Sequence, residues 1–403
     1  AYASQTGQAE SIARETARLL HTAGEPVHLC ALDEVDAGLL ARTRIALFVA
    51  STYGEGDAPD NAAGFQQRCM AQGLPLAELR FGVLALGDRT YAHFCGFGRG
   101  LARWLQADCG AQPLFAPVEM DNGAPQALTA WQQQLAQVAA VDARQGWQAP
   151  VFEPWTLAAR RHLNPGSASA AVFHLELLPP AGAAPDWEAG DLAELRVPAD
   201  PERPRDYSVA SIPADGRVHL LVRESARADG TPGLASGWLC RGVQLGETVE
   251  LRLRANANFR LGANAGRPLI LIGNGSGLAG LRGHLRAQAA RGGAGHWLLY
   301  GERQAAHDRP CRDELEAWLA SGVLARLDLA FSRDQARRVY VQDKLREQAA
   351  LLRRWVDERG AALYVCGSLN GMAQGVDEAL REVLGSAAVD ALARAGRYRR
   401  DVY

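Results

Sequence analysis

Apolar and polar positions divide the chain into three stretches of different rhythm. Over residues 1–142, short apolar runs alternate with amphipathic stretches. Ala1–Ala3 reads as the tail of a strand, and Ile12, Leu19 and Leu20 mark one face of a following helix. Val27–Leu29, Ile45–Ala50 and Val83–Leu86 read as further strands, and Gln132–Val141 as a closing helix. Buried runs separated by helices predict an α/β unit, a parallel sheet covered on both faces. Residues 143–150 read as a linker. From 151 to 262 the rhythm shortens. Val172–Leu178, Leu192–Val197, Val218–Val222 and Thr248–Leu253 are strand-like runs split by Pro, Gly and Asp, which predicts a small antiparallel β-barrel. From 263 to 403 alternation returns. Leu269–Ile272, Trp297–Tyr300, Leu327–Phe331 and Leu363–Cys366 read as strands, with helical stretches such as Asp313–Leu319 and Val341–Trp355 between them. This predicts a second α/β layer.

Length and charge refine that division. The 403 residues fit two to three domains. A formal charge of -2 argues against a general nucleic-acid binder. Residues 1–142 carry 15 acids and 9 bases, whereas 143–403 carry 30 acids and 34 bases. The first stretch is therefore acidic and the rest mildly basic. The seven cysteines are scattered without a C-x-x-C, so no metal site is expected, and free thiols fit a reducing cytoplasm. No apolar run reaches the roughly 18 residues that span a bilayer. The sequence opens on Ala1 without Met, so an upstream piece, a membrane anchor included, is compatible with it.

Candidate chemistry collects at predicted strand ends. Ser4-Gln5-Thr6-Gly7-Gln8 joins a strand tail to a helix start, where backbone N–H groups and hydroxyls suit a phosphate monoester. Ser51-Thr52-Tyr53-Gly54-Glu55-Gly56 follows the second strand, and Leu86-Gly87-Asp88 with Tyr91 and Phe94 follows the next. Ligands of open α/β sheets bind at such ends, and two tyrosines can sandwich a flat heterocycle. In the barrel, Arg205-Asp206-Tyr207-Ser208 combines a guanidinium for pyrophosphate, a stacking ring and a hydroxyl. Gly233-Leu234-Ala235-Ser236 is another small-residue turn before a helix. Gly273-Asn274-Gly275-Ser276-Gly277 lets a dinucleotide approach the backbone. Ser332 and Arg333, with Arg338, Tyr340 and Gln342 beyond, form a cationic cluster with hydroxyls suited to a 2′-phosphate, which favours NADP over NAD. No Gly-x-Ser-x-Gly elbow supports a hydrolase.

These segments resemble the diflavin reductases across essentially the whole sequence. Ser4–Gln8 match the FMN phosphate loop of a flavodoxin-like domain. Ser51–Gly56 and Leu86–Phe94 match its two ring loops, with Tyr53 and Tyr91 in stacking positions. Residues 151–262 resemble the FAD barrel, and 263–403 the NADP domain, of the ferredoxin–NADP reductase family. The resemblance implies catalytic roles for Ser208, Cys366, Asp401 and Tyr403, the last as a terminal aromatic covering the FAD ring. It implies FMN, FAD and NADPH as cofactors, with electrons passing from NADPH through FAD to FMN and an external acceptor. Val339–Gln348 and Arg400–Tyr403 resemble most the flavoprotein subunit of bacterial NADPH–sulfite reductase, which points to a haemoprotein acceptor. Ser368 stands where an acid usually follows Cys-Gly, Gly280 where Pro is usual after Gly-x-Ala, and Arg338 where Lys is common. Asp191 and Arg205 lie 14 positions apart, so the helical connecting domain of known relatives is expected to be absent. Two other readings stand beside this one. The first is the cytosolic half of a membrane-anchored haem or ferric-siderophore reductase, and the second a non-catalytic flavin- or nucleotide-binding redox sensor.

Overall fold

The structure, a computed structural model, describes residues 1–89, 91–139, 150–227 and 229–403. The predicted linker falls outside these residues except for Pro150, as do the last two positions of the predicted closing helix. The chain divides into two compact units, Ala1–Pro150 and Val151–Tyr403.

The first unit is built on parallel strands β1 (Tyr2–Ala3), β2 (Ile45–Ser51), β3 (Arg80–Gly87), β4 (Gln112–Pro113) and β5 (Val118–Asp121). They run in the order β1-β2-β3-β4, with β5 also on β3. β3 is buried from Phe81 to Leu86, as expected for a central strand covered on both faces. Its side chains alternate between two cores: Phe81, Val83 and Ala85 face one, Leu84 and Leu86 the other. The helix Gln8–Thr22 buries Ala9, Ile12, Ala13, Thr16 and Leu19. Thr16 accepts a hydrogen bond from the indole of Trp131 at 3.0 Å, which ties in the closing helix Pro125–Val138. Val27–Leu29 is not a strand. The chain after it touches β1 through the Tyr2–Ala31 bridge and a Tyr2 N–H bond to Cys30 O.

The second unit starts with an antiparallel sheet of β6 (Glu153–His162), β7 (Val172–Leu178), β8 (Leu192–Val197), β9 (Asp200–Ser208), β10 (Val218–Arg223) and β11 (Thr248–Arg254). The order is β10-β7-β6-β11-β8-β9. β9 is charged and holds Pro201 and Pro204, which its place at the end of the order accommodates because an edge strand needs fewer N–H donors. β8 returns into β9 through a tight hairpin, with Val197 opposite Asp200.

Five parallel strands complete the unit: β12 (Leu269–Asn274), β13 (His296–Glu302), β14 (Leu324–Phe331), β15 (Ala362–Gly367) and β16 (Tyr398–Val402), in the order β14-β13-β12-β15-β16. β16 was not expected from the sequence. The predicted helical stretch Val341–Trp355 is two helices, Val341–Glu347 and Ala349–Asp357, broken where Gln348 leaves helical geometry. Among the described residues, no helix is long and apolar enough to cross a membrane.

Two arginines tie barrel segments to the chain beyond β11. Arg260 places Nε and Nη2 on the Asp191 carboxylate at 2.6 and 2.7 Å, and Asn256 N–H adds a third donor at 3.0 Å. Arg282, on the helix Leu278–Ala290, reaches Ala210 O at 2.5 Å and Glu314 at 2.6 Å. Asp191 is buried, so losing its cation leaves an uncompensated charge. Arg260→Ala is therefore expected to destabilise the second unit by about 3 kcal/mol, read as a lowered Tm for that unit's calorimetric transition.

Candidate functional site

In the first unit three loops leave the carboxyl ends of β1, β2 and β3. Gly7, at φ +83°, turns the first loop into the helix headed by Gln8. Ser4 N–H donates to Asn61 Oδ1 at 2.9 Å, and the Gln5 amide exchanges two bonds with Asp60. Asp60 and Asn61 thus brace the loop, although nothing in the motif pointed to them. Gln5 is buried within this bracing, while Thr6 is half-buried. In the second loop, Ser51 Oγ donates to Ala3 O at 3.0 Å, and Tyr53 and Asp57 exchange backbone bonds around Gly54 and Gly56. Both glycines have positive φ. Thr52 Oγ1 is buried without a partner among the described residues, which fits a loop made to hold a polar ligand. The third loop is tied to the second by Ala92 N–H on the Glu55 carboxylate at 3.2 Å. Asp88 O accepts from Tyr91 N–H at 3.2 Å, and Gly87 lies against Cys95. Tyr53 and Tyr91 are both half-buried. Leu86 and Phe94 are core residues, and Phe94 lies under the Arg89 guanidinium at 4.4 Å.

In the second unit the strand ends bring together residues far apart in sequence. Cys366 and Asp401 are register partners on β15 and β16. Ser208, from the end of β9, donates to Asp401 Oδ2 at 2.7 Å, and Cys366 Sγ lies 3.7 Å from the same oxygen. All three are buried. Burial, then the nearby Asp401 charge, pushes the Cys366 thiol well up, so the sulfur is a neutral S–H. The backbone of Tyr403 is pinned between Gly367 and Leu369, and its phenol donates to Ser276 Oγ at 3.2 Å.

Arg205 and Tyr207 share one face of β9. Arg205 holds Asp200 at 3.4 Å, and Tyr207 packs on the barrel core. Gly233 heads the short helix Leu234–Gly237. A Cβ there would strike the hydroxyls of Ser225 and Ser236, and Ser236 Oγ accepts from Ser225 N–H at 3.0 Å. Ala235 is buried and Leu234 half-buried beside them.

A cavity of about 630 Å³ opens beside Tyr403, lined by Gly275, Ser276, Ser332, Arg333, Tyr340 and Gln342 among others. Gln342 Oε1 is buried without a partner among the described residues, which fits a polar ligand in that cavity. Gly273 lies behind the lining, where a Cβ would meet Cys366 O at 2.5 Å. Arg338 is exposed and does not line the cavity. Sequence reading missed Arg223, Glu302 and Arg303 in the wall. Arg223 pairs with the buried Glu302 at 2.5 Å, and Tyr300 donates toward both Gly275 O and Glu302. Arg223 and Glu302 are 79 positions apart, so no local pattern signals the pair.

Against the expectation of no metal site, His174, Glu176 and His219 place ligand atoms within 4.8 Å of one another. Arg217 already holds Glu176 at 2.8 Å, and Arg282 lies 3.2 Å from His219 Nδ1. That cationic setting opposes a dication.

Burial raises the Asp401 carboxyl from 3.8 to about 6. A folded pKa above the unfolded one favours the folded state at low pH, and the contribution is lost as pH rises through about 6. Asp401→Asn removes this titration. Its stability relative to wild type is expected to improve between about pH 4 and pH 7.5 by up to about 3 kcal/mol, measured by thermal melts across that range.

Residues 1–131 match the family described as Flavodoxin, and residues 271–378 the Oxidoreductase NAD-binding domain. The whole chain is 30% identical to the sulfite reductase [NADPH] flavoprotein alpha-component of Yersinia enterocolitica, covering 89% of that protein. It is 29% identical to the proteins of the same name from Vibrio cholerae and Neisseria meningitidis, covering 87% and 88% of them. The 538 aligned positions with the Vibrio protein exceed the 403 residues of this chain by at least 135, so at least that many internal positions of that relative have no counterpart here. With both unit types in this order and relatives aligned over its full length, the chain belongs to the diflavin reductases and is an NADPH-dependent oxidoreductase that uses FMN and FAD.

Proposed function

We propose that this protein delivers electrons from NADPH to a haemoprotein acceptor of the kind served by sulfite reductase flavoproteins. The observation that carries the reading is the convergence of Ser208, Cys366 and Asp401 beside a cavity walled by Ser276, Arg333 and Tyr403. When bound, NADPH would supply hydride and the flavins the chemistry that passes it on as single electrons.

The residues of the chain position and polarise. Arg333, Ser332, Tyr340 and Gln342 hold the 2′-phosphate end, where a guanidinium and hydroxyls match a phosphate dianion. Gly275 and Ser276 let the pyrophosphate approach the backbone. Asp401 fixes the Ser208 hydroxyl and the Cys366 thiol, and above about pH 6 its carboxylate would offer negative charge to a nicotinamide held beside them. Tyr403 is half-exposed and held through Ser276, and its ring would have to move aside to admit nicotinamide. Arg205, Tyr207, Ser208 and the turn Gly233–Ser236 hold FAD. The loops at Ser4–Gln8, Ser51–Gly56 and Leu86–Phe94 hold FMN.

The name of the relatives, an alpha-component, supports an acceptor on a separate chain. The acidic balance of residues 1–142 supports docking on a basic surface, because opposite charge speeds encounter.

The purified protein is expected to be yellow with flavin and to reduce ferricyanide with NADPH faster than with NADH. Arg333→Ala is expected to raise KM for NADPH about tenfold or more, the scale of a lost charge-assisted phosphate contact, with kcat little changed. Equal rates with NADH and NADPH in the wild type would defeat the 2′-phosphate assignment. For the acceptor, reduction of an added sulfite-reductase haemoprotein is expected to slow as salt screens the docking charges. An absence of turnover with that haemoprotein alongside rapid ferricyanide reduction would point to a different acceptor.

A further inference from the structure

Among the described residues, the cavity beside Tyr403 has Arg223, Arg303 and Arg333 in its wall, and the first differs from the other two. Arg303 and Arg333 are exposed and lie just past the ends of β13 and β14, where Arg333 N–H donates to Arg303 O at 2.8 Å. Arg223 closes β10 of the barrel, and its side chain is only 25% exposed. Its Nη2 donates to Glu302 Oε1 at 2.5 Å, and the Glu302 side chain is itself buried. Tyr300 Oη lies 3.1 Å from the same carboxylate oxygen and 2.8 Å from Gly275 O. These bonds set the guanidinium against the turn that follows β12. A Cβ on Gly275 would stand 3.1 Å from Arg223 Nη2 and 3.6 Å from its Cζ and Nε, so the group rests on bare glycine backbone.

A guanidinium carries five N–H donors. Among the described residues, Glu302 takes the one hydrogen bond that Arg223 makes, so donors remain for a ligand in the cavity. The sheet separates this cation from Arg333. Gly275 follows β12 and Arg333 follows β14, with β13 between them. Two strand spacings put the turn and the loop roughly 10 Å apart across the sheet, which assigns them different phosphates.

We propose that Arg223 is a ligand for the pyrophosphate of NADPH, held in place by Glu302 and Tyr300. The inference rests on the functional reading above and adds to the glycine turn a cation supplied by the barrel. The turn offers room and backbone N–H groups, whereas the guanidinium fork gives charge-assisted bonds to phosphate oxygens. Glu302 fixes one edge of that fork, so less side-chain freedom is lost when the ligand arrives.

The test is titration calorimetry on the oxidised holoenzyme with two probes. Adenosine 2′-monophosphate carries the 2′-phosphate alone, and 2′-phospho-ADP-ribose adds the pyrophosphate without the nicotinamide. Arg223→Gln is expected to weaken binding of 2′-phospho-ADP-ribose about tenfold or more, the scale of a lost charge-assisted contact, and to leave adenosine 2′-monophosphate unchanged. Arg333→Ala is expected to weaken both. Arg223→Gln strands the buried Glu302. The same comparison is therefore made between Glu302→Gln and the double variant Glu302→Gln/Arg223→Gln, in which no charge is stranded. A loss confined to 2′-phospho-ADP-ribose in either comparison supports the proposal. Unchanged affinity for that probe in both comparisons overturns it, and so does an equal loss for the two probes, which would make Arg223 a prop of the cavity rather than a ligand. Wild-type protein that binds neither probe would overturn the functional reading instead.

Discussion

The second unit is organised around one buried carboxylate. Asp401 sits on the last strand of its sheet, beside Cys366, and its hydrogen-bonding partner Ser208 comes from the other sheet of the unit. A buried carboxylate is costly unless donors reach it. The 2.7 Å bond from Ser208 therefore works only if the barrel and the parallel sheet are docked to within a few tenths of an ångström. The surrounding contacts serve that requirement. Arg260 and Asn256 converge on Asp191, Arg282 reaches across to Ala210, and Arg286 pairs with both Asp215 and Glu314. The Asp191 cluster ties the barrel to the chain that leads into β12, and the Ala210 and Asp215 contacts tie it to the helix Leu278–Ala290.

Features that are local along the chain are legible in the sequence alone. The loops at strand ends, the glycine-rich turn after β12 and the acidic balance of the first stretch need only neighbouring residues to be read. Most strands are legible too, because buried parallel strands such as β3 are continuous apolar runs. What stays hidden depends on contacts between distant positions. β16, Tyr-Arg-Arg-Asp-Val, looks like a polar tail and becomes a strand only through its register with β15. β9 carries two prolines and five charged residues, and only its edge position makes those acceptable. The brace of Gln5 by Asp60 and the pairing of Arg223 with Glu302 span 55 and 79 positions. Val27–Leu29 fails in the opposite direction, since its apolar character alone does not make it a strand.

The hairpin between β8 and β9 bears on how much of a diflavin reductase the site needs. Asp191 anchors Arg260 just before β8, and Ser208 closes β9, so both ends of the hairpin are fixed by the site. The two strands between them pair directly, with Leu192 opposite Ser208 and Leu195 opposite Arg205. The internal positions present in the Vibrio relative and missing here are therefore not needed to place Ser208 opposite Leu192, because strand pairing sets that register.

The helix Leu278–Ala290 shows what this closeness costs. It carries glycine at 280 and 283, where each glycine gives up roughly 1 kcal/mol of helix stability relative to alanine. Both lie on the side that meets the end of β9: a Cβ at 283 would stand 2.9 Å from Val209 O, and one at 280 would crowd Phe259 and Cys366. A sequence chosen only for helix stability would put alanine at both places and push the helix away from the barrel. Arg282 lies between the two glycines and makes a buried 2.5 Å bond to Ala210 O. That bond draws the same stretch of helix inward, so the arginine and the glycines act together. The weakened helix is held where Cys366, Ser208 and Asp401 can share one oxygen, and local stability is given up for the geometry of the site.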